Sequence, residues 1–379
     1  MRIVYDHSIF MEPRIGGVLR HTLELVRGVH GLPEAGDVTI DVQAGWHHAP
    51  ISAADLPAGT LHGVRVPQFK GSGRFLSALN RMRLKRLLAA ISDCSVVLHE
   101  TLYGDVFPSP PNVKRVVVVH DTIWEDSDDR ATHAAALARK ASSIAAADGI
   151  IFVSNATRAG FCRHYPAPKL GAVIHHGCEL RITRERRALN IPGPFVLYVG
   201  QRGGYKNWAR FAEAFAGSDL SRSHWLVSFG PKPTADEQRL AASLPEAERL
   251  LWRGGTDDEL ADFYAAADCF VYPSLAEGFG IPLVEAAKLG CPVACSDIPP
   301  FREVLGQDAY FSSPLDPLAI AVAMKAAINA GRGGAVVAAA KAACGRYTWH
   351  NTAKATLNFY RQVASEESCD SRLSRGNVL

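Results

Sequence analysis

The stretch Pro273-Ser-Leu-Ala-Glu-Gly-Phe-Gly-Ile-Pro-Leu-Val-Glu285 decides the fold. It places two glutamates, Glu277 and Glu285, on either side of Gly278, Gly280 and Pro282. Before it, Asp268-Cys-Phe-Val-Tyr272 is β-branched and aromatic and predicts a strand. After it, Leu283 to Leu289 predicts a helix. Pro282 suits the first helical position, and Gly290 followed by Pro292 suits the stop. Strand, glycine-containing loop and helix in that order is the repeating unit of an α/β fold.

The chemistry follows from that geometry. Glu277 falls in the loop and Glu285 about one turn into the helix. First-turn N–H groups have no intrahelical partner and favour an anion, above all a phosphate. Gly278 and Gly280 let the backbone come close to a ligand. Two carboxylates beside a phosphate site make sense if the ligand also carries hydroxyls, because an ionised carboxylate accepts from O–H. A nucleotide sugar offers a diphosphate, ribose hydroxyls and sugar hydroxyls together. The plain alternative is a loop carboxylate and a first-turn glutamate favoured by the helix dipole.

The filled string tips the balance. Glu277-Gly-Phe-Gly-Ile-Pro-Leu-Val-Glu-Ala286, followed by Gly290-Cys-Pro-Val293, resembles the E-x7-E signature of the retaining glycosyltransferases of family four. The resemblance implies an α/β, GT-B fold: two Rossmann-like domains facing across a cleft, with the C-terminal helix crossing back to the first.

Length and composition agree with that class. A chain of 379 residues exceeds one ordinary core, so two domains are expected. Hydrophobic residues at 47% and charged ones at 21% mark a globular chain. A net charge of only +3 argues against a nucleic-acid-binding protein. Met1-Arg-Ile-Val-Tyr-Asp6 turns polar too soon for a signal peptide. No apolar run approaches the roughly 18 residues of a membrane helix. None of the eight cysteines forms a C-x-x-C pair, so a zinc ribbon is not suggested and a reducing cytoplasm is expected.

Arg2 to Tyr5 predicts the first strand, leading through Gly16 and Gly17 into a helix. The G-x-G-x-x-G dinucleotide fingerprint is absent. The glycine pair is either a plain strand-to-helix turn or a place where backbone meets a phosphate or sugar. Tyr5-Asp-His-Ser-Ile-Phe10 with Gly16, Gly17, Val18 and Arg20 resembles a subgroup of the same family, which implies that the pair lies against the donor. Val38 to Val42 is a second strand, and residues 47–74 read as loops with short strands. Residues 75–91 predict a basic amphipathic helix, with Arg74, Arg81, Arg83, Lys85 and Arg86 among leucines. Such a helix can lie on a membrane surface or simply solvate its outer face. Val96–Glu100 and Val113–Val119 read as buried strands, the second ending at His120-Asp121. The resemblance assigns His120 to contact with the donor sugar. Asp126-Ser-Asp128 matches the D-x-D pattern that holds a divalent metal in the other large transferase fold, but it trails His120 instead of ending its strand. Residues 132–147 are an Ala-rich helix and Ile150–Val153 a strand. Ser154 either caps the next helix or lies near the donor phosphate.

Ala172–Ile174 closes the first half, and residues 175–194, with Arg181, Arg184, Arg186 and Arg187, read as a linker. The expected domains are 1–178, joined by the helix from about 350 to 379, and 179–349. The second half restarts with Phe195-Val-Leu-Tyr-Val-Gly200 and Gln201-Arg-Gly-Gly-Tyr-Lys-Asn-Trp208. Arg202 can grip two phosphate oxygens, and Lys206 adds a compact charge. The family string has adjacent Arg-Lys before Asn; here Tyr205 takes the Arg place. Leu251-Trp-Arg-Gly-Gly255 reads as a loop after a short strand, and by resemblance Trp252 and Arg253 meet the nucleotide base. Trp252 can equally be core. Val293–Ser296 is a strand, residues 316–343 an Ala-rich helix, and 350–364 the last helix before a polar tail.

The resemblance therefore implies a retaining, metal-independent hexosyltransferase that takes no cofactor. It moves a sugar from a nucleoside diphosphate donor to a hydroxyl of a glycan or lipid-linked acceptor, in polysaccharide, lipopolysaccharide or O-antigen biosynthesis. Family habit favours GDP-mannose. Catalysis falls to His120, Glu277, Arg202 and Lys206. Donor binding falls to Gly16, Gly17, Ser154, Trp252, Arg253, Gly278, Phe279, Gly280, Ile281 and Glu285, with no metal ligand. The expected location is cytoplasmic, with peripheral contact at the inner face of a membrane. The alternatives are a sugar-nucleotide epimerase or phosphorylase on the same fold, or a non-catalytic scaffold.

Overall fold

The structure, a computed structural model, describes residues 1–14, 16–104, 106–180 and 188–366. The arginines of the expected linker, Arg181 to Arg187, and the tail beyond 366 lie outside the described residues.

The chain divides into two compact units. The first is Met1–His176 with the final helix Trp349–Ser365, and the second is Gly177–Thr348. The first unit holds β1 (Arg2–Tyr5), β2 (Thr39–His47), β3 (Leu61–Arg65), β4 (Val96–Glu100), β5 (Val113–Val119), β6 (Gly149–Phe152) and β7 (Gly171–Val173). They form one sheet in the order β3-β2-β1-β4-β5-β6-β7, every pairing parallel. Val116 to Val119 and Ile150 to Phe152 are buried on both faces, as parallel strands covered by helices require.

The second unit holds β8 (Phe195–Val199), β9 (Trp225–Phe229), β10 (Leu250–Arg253), β11 (Cys269–Tyr272), β12 (Val293–Ser296) and β13 (Tyr310–Ser312). Its sheet runs β10-β9-β8-β11-β12-β13, again parallel throughout. In each sheet the strand order reverses once, between β1 and β4 and between β8 and β11. The loops leaving those strands diverge there and open a crevice at their carboxyl ends. The final helix packs on Gly17–His30, so the chain returns to the unit in which it began.

Three local expectations differ from the structure. The Ala-rich run at 316–343 is two helices, Pro317–Ala330 and Ala335–Cys344. Gly331, at φ +63°, ends the first, and Gly334 caps the second. Trp252 and Arg253 belong to β10 itself, and of the quoted stretch Gly254 and Gly255 alone are loop. The helix after the glycine loop starts at Ile281, which puts Pro282 second. The strand Tyr310–Ser312 and the helix Ala235–Ser243, capped by Thr234 and Glu237, were not legible beforehand.

Candidate active site

The crevice of the second sheet is built by two loops. One leaves β8 and runs from Gly200 to a 3-10 turn at Gly204–Lys206; the other leaves β11 and runs from Pro273 to Gly280. Asn207 ties them together. It adopts the left-handed conformation at φ +58°, and its side-chain amide donates to the carbonyls of Pro273 at 2.9 Å and Pro314 at 2.7 Å. Leu275 N–H donates to Tyr205 O at 2.7 Å, which fixes the register of one loop against the other.

Lys206 and Glu277 meet in this frame. Lys206 Nζ donates to Glu277 Oε1 at 2.6 Å and to the Tyr272 hydroxyl at 3.2 Å. Ser274 Oγ donates to the same carboxylate oxygen at 2.7 Å. The ammonium also lies over the rings of Tyr205 and Tyr272. Burial, with Glu277 second, holds the Tyr272 hydroxyl well above the usual phenol range, so it keeps its proton. A cation, a carboxylate and a hydroxyl thus converge immediately before a helix start.

That start is set by Gly280. Its φ of +105° is open to glycine and strained for any other residue, and a Cβ there would press on Phe301 and Leu283. Gly278, Phe279 and Gly280 are buried, and Phe279 packs edge-to-face on Tyr347. The first N–H groups of Ile281–Lys288 emerge beside the loop as a ready anion site. Glu285, fifth in this helix and 4% exposed, accepts from the Tyr264 hydroxyl at 3.0 Å.

Arg202 shares the loop with Lys206 but faces another neighbourhood. Its Nε lies 3.0 Å from Glu237, its Nη2 donates to Pro231 O at 2.7 Å, and its guanidinium sits over the Trp252 ring. Its Nη1 is buried with no hydrogen-bond partner among the described residues. Trp252 in turn packs on the buried Trp208, so it serves the core on one side and Arg202 on the other. Arg253 donates to the Trp252 carbonyl. Glycines open the strand ends beside Arg202: a Cβ at Gly230 would run into the Gly200 carbonyl oxygen, and one at Gly254 would come within 2.9 Å of Gly230 O.

In the first unit, His120 stands at the end of β5 within a cluster of histidines. Its ring stacks on His176, interplanar angle 7°, and meets His21 edge-on. The Nδ1 atoms of His21 and His176 are 2.9 Å apart, so one donates to the other. Burial first, then His176, holds His120 well below the usual imidazole range and keeps it neutral. His21 lies on the helix that Gly16 caps, and Gly16 and Gly17 are exposed with open space where a Cβ would stand. Ser154 is fully buried and its Oγ accepts from Thr157 N–H at 2.9 Å, which is helix capping.

Asp126 accepts from Arg163 and His164, both at 2.7 Å, and Asp128 is exposed. Among the described residues no group of three His, Cys, Asp or Glu side chains is arranged for a metal ion. Sequence reasoning passed over Tyr272, Ser274, Asn207, Glu237, His21 and His176. The first three sat within or beside the quoted motifs; nothing in the string marked the others.

Comparison with known proteins matches two family models in succession along the chain. "Glycosyltransferase Family 4" covers residues 15–181 and "Glycosyl transferases group 1" covers 181–335. The chain is 35% identical over 106 residues to O-antigen chain mannosyltransferase B of Escherichia coli, 28% of each chain. It is 31% identical over 189 residues to D-inositol 3-phosphate glycosyltransferase of Xylanimonas cellulosilytica, 48% of this chain and 45% of that one. The chain thus spans less than half the length of these curated relatives. Sucrose-phosphate synthase of Thermosynechococcus elongatus superposes with a TM-score of 0.73 at 18% identity, over 96% of this chain and 98% of that one, a likeness of fold.

Proposed function

The chain belongs to the glycosyltransferases of family four, with the GT-B fold, and from that premise we propose that it moves a hexose from a nucleoside diphosphate sugar to a hydroxyl of a glycan or lipid-linked acceptor. One observation carries the reading: Lys206 and Glu277 meet where the strand order of the second sheet reverses, directly before the helix start at Gly280.

Departure of the nucleoside diphosphate is the difficult event, because negative charge builds on the leaving phosphate while the anomeric carbon becomes cation-like. Lys206, Arg202 and the amide N–H groups at the helix start are preplaced donors for that charge. Lys206 is held by Glu277 and Tyr272. An arriving diphosphate takes over the ammonium and frees Glu277 to orient hydroxyls of the sugar. Glu285, braced by Tyr264, accepts from the ribose hydroxyls. In the first unit, His120 is assigned to sugar contact and the open backbone at Gly16 and Gly17 to the donor. Transfer proceeds with retention by same-face attack, the leaving phosphate oxygen taking the acceptor proton.

Mannose from GDP-mannose is the favoured donor, supported by the name of the O-antigen relative, and O-antigen or related polysaccharide synthesis is the favoured setting. Incubation with a panel of nucleotide sugars, read as nucleotide release, tests the reading. Lys206→Ala and Glu277→Ala serve as controls, and calorimetric titration of GDP, UDP and ADP names the base. Full-rate release by the Lys206→Ala protein sinks the phosphate assignment.

A further inference from the structure

A lysine is almost never fully buried unless it is paired. Lys140, in the middle of the helix Ala134–Ala145, is such a case: its side chain is 6% exposed. Its Nζ lies 2.5 Å from Glu125 Oε1, and the Glu125 side chain is 1% exposed. Tyr165, just past the helix Asn155–His164, donates its hydroxyl to the same oxygen at 2.8 Å. The other oxygen, Glu125 Oε2, is buried with no hydrogen-bond partner among the described residues. A buried ion pair with half its carboxylate unsatisfied is a poor device for stability, because apolar side chains of similar volume would pack there without the desolvation penalty. Lys140 therefore does something that an apolar side chain could not.

Its remaining contacts show what that is. Lys140 Nζ donates to the Asp121 carbonyl at 2.6 Å. The ammonium also lies over the ring of Tyr103, 5.4 Å from its centre, and the Tyr103 hydroxyl donates to the Val118 carbonyl at 3.4 Å. Val118 is the last residue but one of β5, and Asp121 comes two after its end. The two donors thus hold the backbone on either side of His120. Further along, Asp121 Oδ1 accepts from Ile123 N–H at 3.1 Å, and Asp126 accepts from Arg163 and His164. The acidic run after β5 anchors the chain that leaves His120, while His176 stacks on the ring itself.

We propose that Lys140, held in place by Glu125, is a positioning residue for sugar transfer: it fixes the backbone immediately after His120 and so sets where His120 stands against the sugar. Lys140 acts through His120 and does not itself touch substrate. The inference rests on the assignment of His120 to sugar contact. A supporting group of this kind matters because a small misplacement of a substrate-contacting residue lowers the rate far more than it lowers stability.

The test compares the full chain with three variants: Lys140→Met with Glu125→Gln, His120→Ala, and all three substitutions together. The paired change leaves no lone buried charge, and the new amide still accepts from Tyr165. Where that pair fails to fold, Lys140→Gln with Glu125→Gln, whose side chain at 140 is one atom shorter than lysine, takes its place with the same expectation. Histidine ring signals from isotope-labelled protein read the geometry directly, that of His120 being identified by its loss in His120→Ala. In the paired variant the His120 signal should shift or split. Its kcat with a nucleotide sugar should fall about tenfold to a hundredfold, while nucleoside diphosphate affinity, set in the second unit, stays at the parent's value. In the His120→Ala background the paired change should cost nothing more. An unmoved His120 signal in a folded variant, or a loss of rate that adds in full to that of His120→Ala, overturns the proposal. A His120→Ala protein that turns over at the parent's rate sinks the sugar assignment instead, and the ring signals still decide whether Lys140 holds His120 in place.

Discussion

Lys206 Nζ donates to Glu277 Oε1 at 2.6 Å, a bond between the loop that leaves β8 and the loop that leaves β11. Both side chains are mostly buried, at 19% and 10% exposure, so each partly satisfies the other's charge. Lys206→Ala therefore acts twice. It removes a diphosphate donor, which lowers nucleotide release about a hundredfold. It also strands Glu277 among Ser274 and Tyr272, which costs about 1–2 kcal/mol, less than a fully buried pair would because water still reaches it. Steady-state kinetics and denaturant unfolding read the two effects separately.

Arg202 makes a second, different prediction. Its Nε faces Glu237 at 3.0 Å, and that carboxylate stands where a phosphate oxygen would compete. Glu237→Gln keeps a side chain able to accept from Thr234 N–H, as in the native cap. It withdraws the charge that holds Arg202. Nucleoside diphosphate affinity should rise by a few-fold in Glu237→Gln and fall about tenfold in Arg202→Ala, measured by calorimetry. If neither substitution moves the affinity, Arg202 is a structural partner of Trp252 and nothing more.

Gly280 carries a prediction about stability. Alanine there must adopt φ +105° and press its Cβ on Phe301 and Leu283. Backbone strain and crowding together cost about 2–4 kcal/mol. The denaturation midpoint should fall accordingly, and the helix start should lose its anion geometry even where the protein still folds. A Gly280→Ala protein as stable as its parent would show that this loop is not as fixed as its dihedral implies.

The string around Glu277 made the local fold legible because every signal in it agreed. A β-branched run, two glycines, a proline near the helix start and a Gly-x-Pro stop all specify strand, loop and helix. β1, β4, β5 and β12 were likewise placed to the residue by short, mostly apolar runs. The Ala-rich stretch at 316–343 misled because alanine favours helix so strongly that Gly331-Arg-Gly-Gly334 read as an interruption, not an end. Of the site, Lys206 and Glu277 could be named but their direct bond could not. It depends on β8 and β11 being sheet neighbours, which is tertiary information. His21 and His176 are 155 residues apart, and no local pattern links them to His120.

That histidine cluster sets a pH dependence. Burial pushes His176 down to about 3 and His99 to about 4, and holds His21 and His120 well below the usual range. Burial is the largest cause for each of them. His99 accepts from or donates to the Tyr360 hydroxyl at 2.6 Å, Trp349 lies against His21, and Lys140 disfavours charge on His120, while Asp6, near His99, works the other way. All four are neutral in the folded protein at pH 6, while in the unfolded chain they begin to protonate near pH 6.5. The unfolded state then binds more protons, so stability is fully present above about pH 7 and is lost as pH falls toward 4. Each histidine contributes a slope of up to about 1.4 kcal/mol per pH unit in that window. The loss should appear in the first unit, as faster amide exchange along Gly17–His30 and Trp349–Ser365, before the second unit responds. His176→Gln, which cannot protonate, should flatten the curve by one histidine's share. A stability that stays level from pH 7 to 4.5, or a His176→Gln protein with the parent's slope, removes the cluster as the cause.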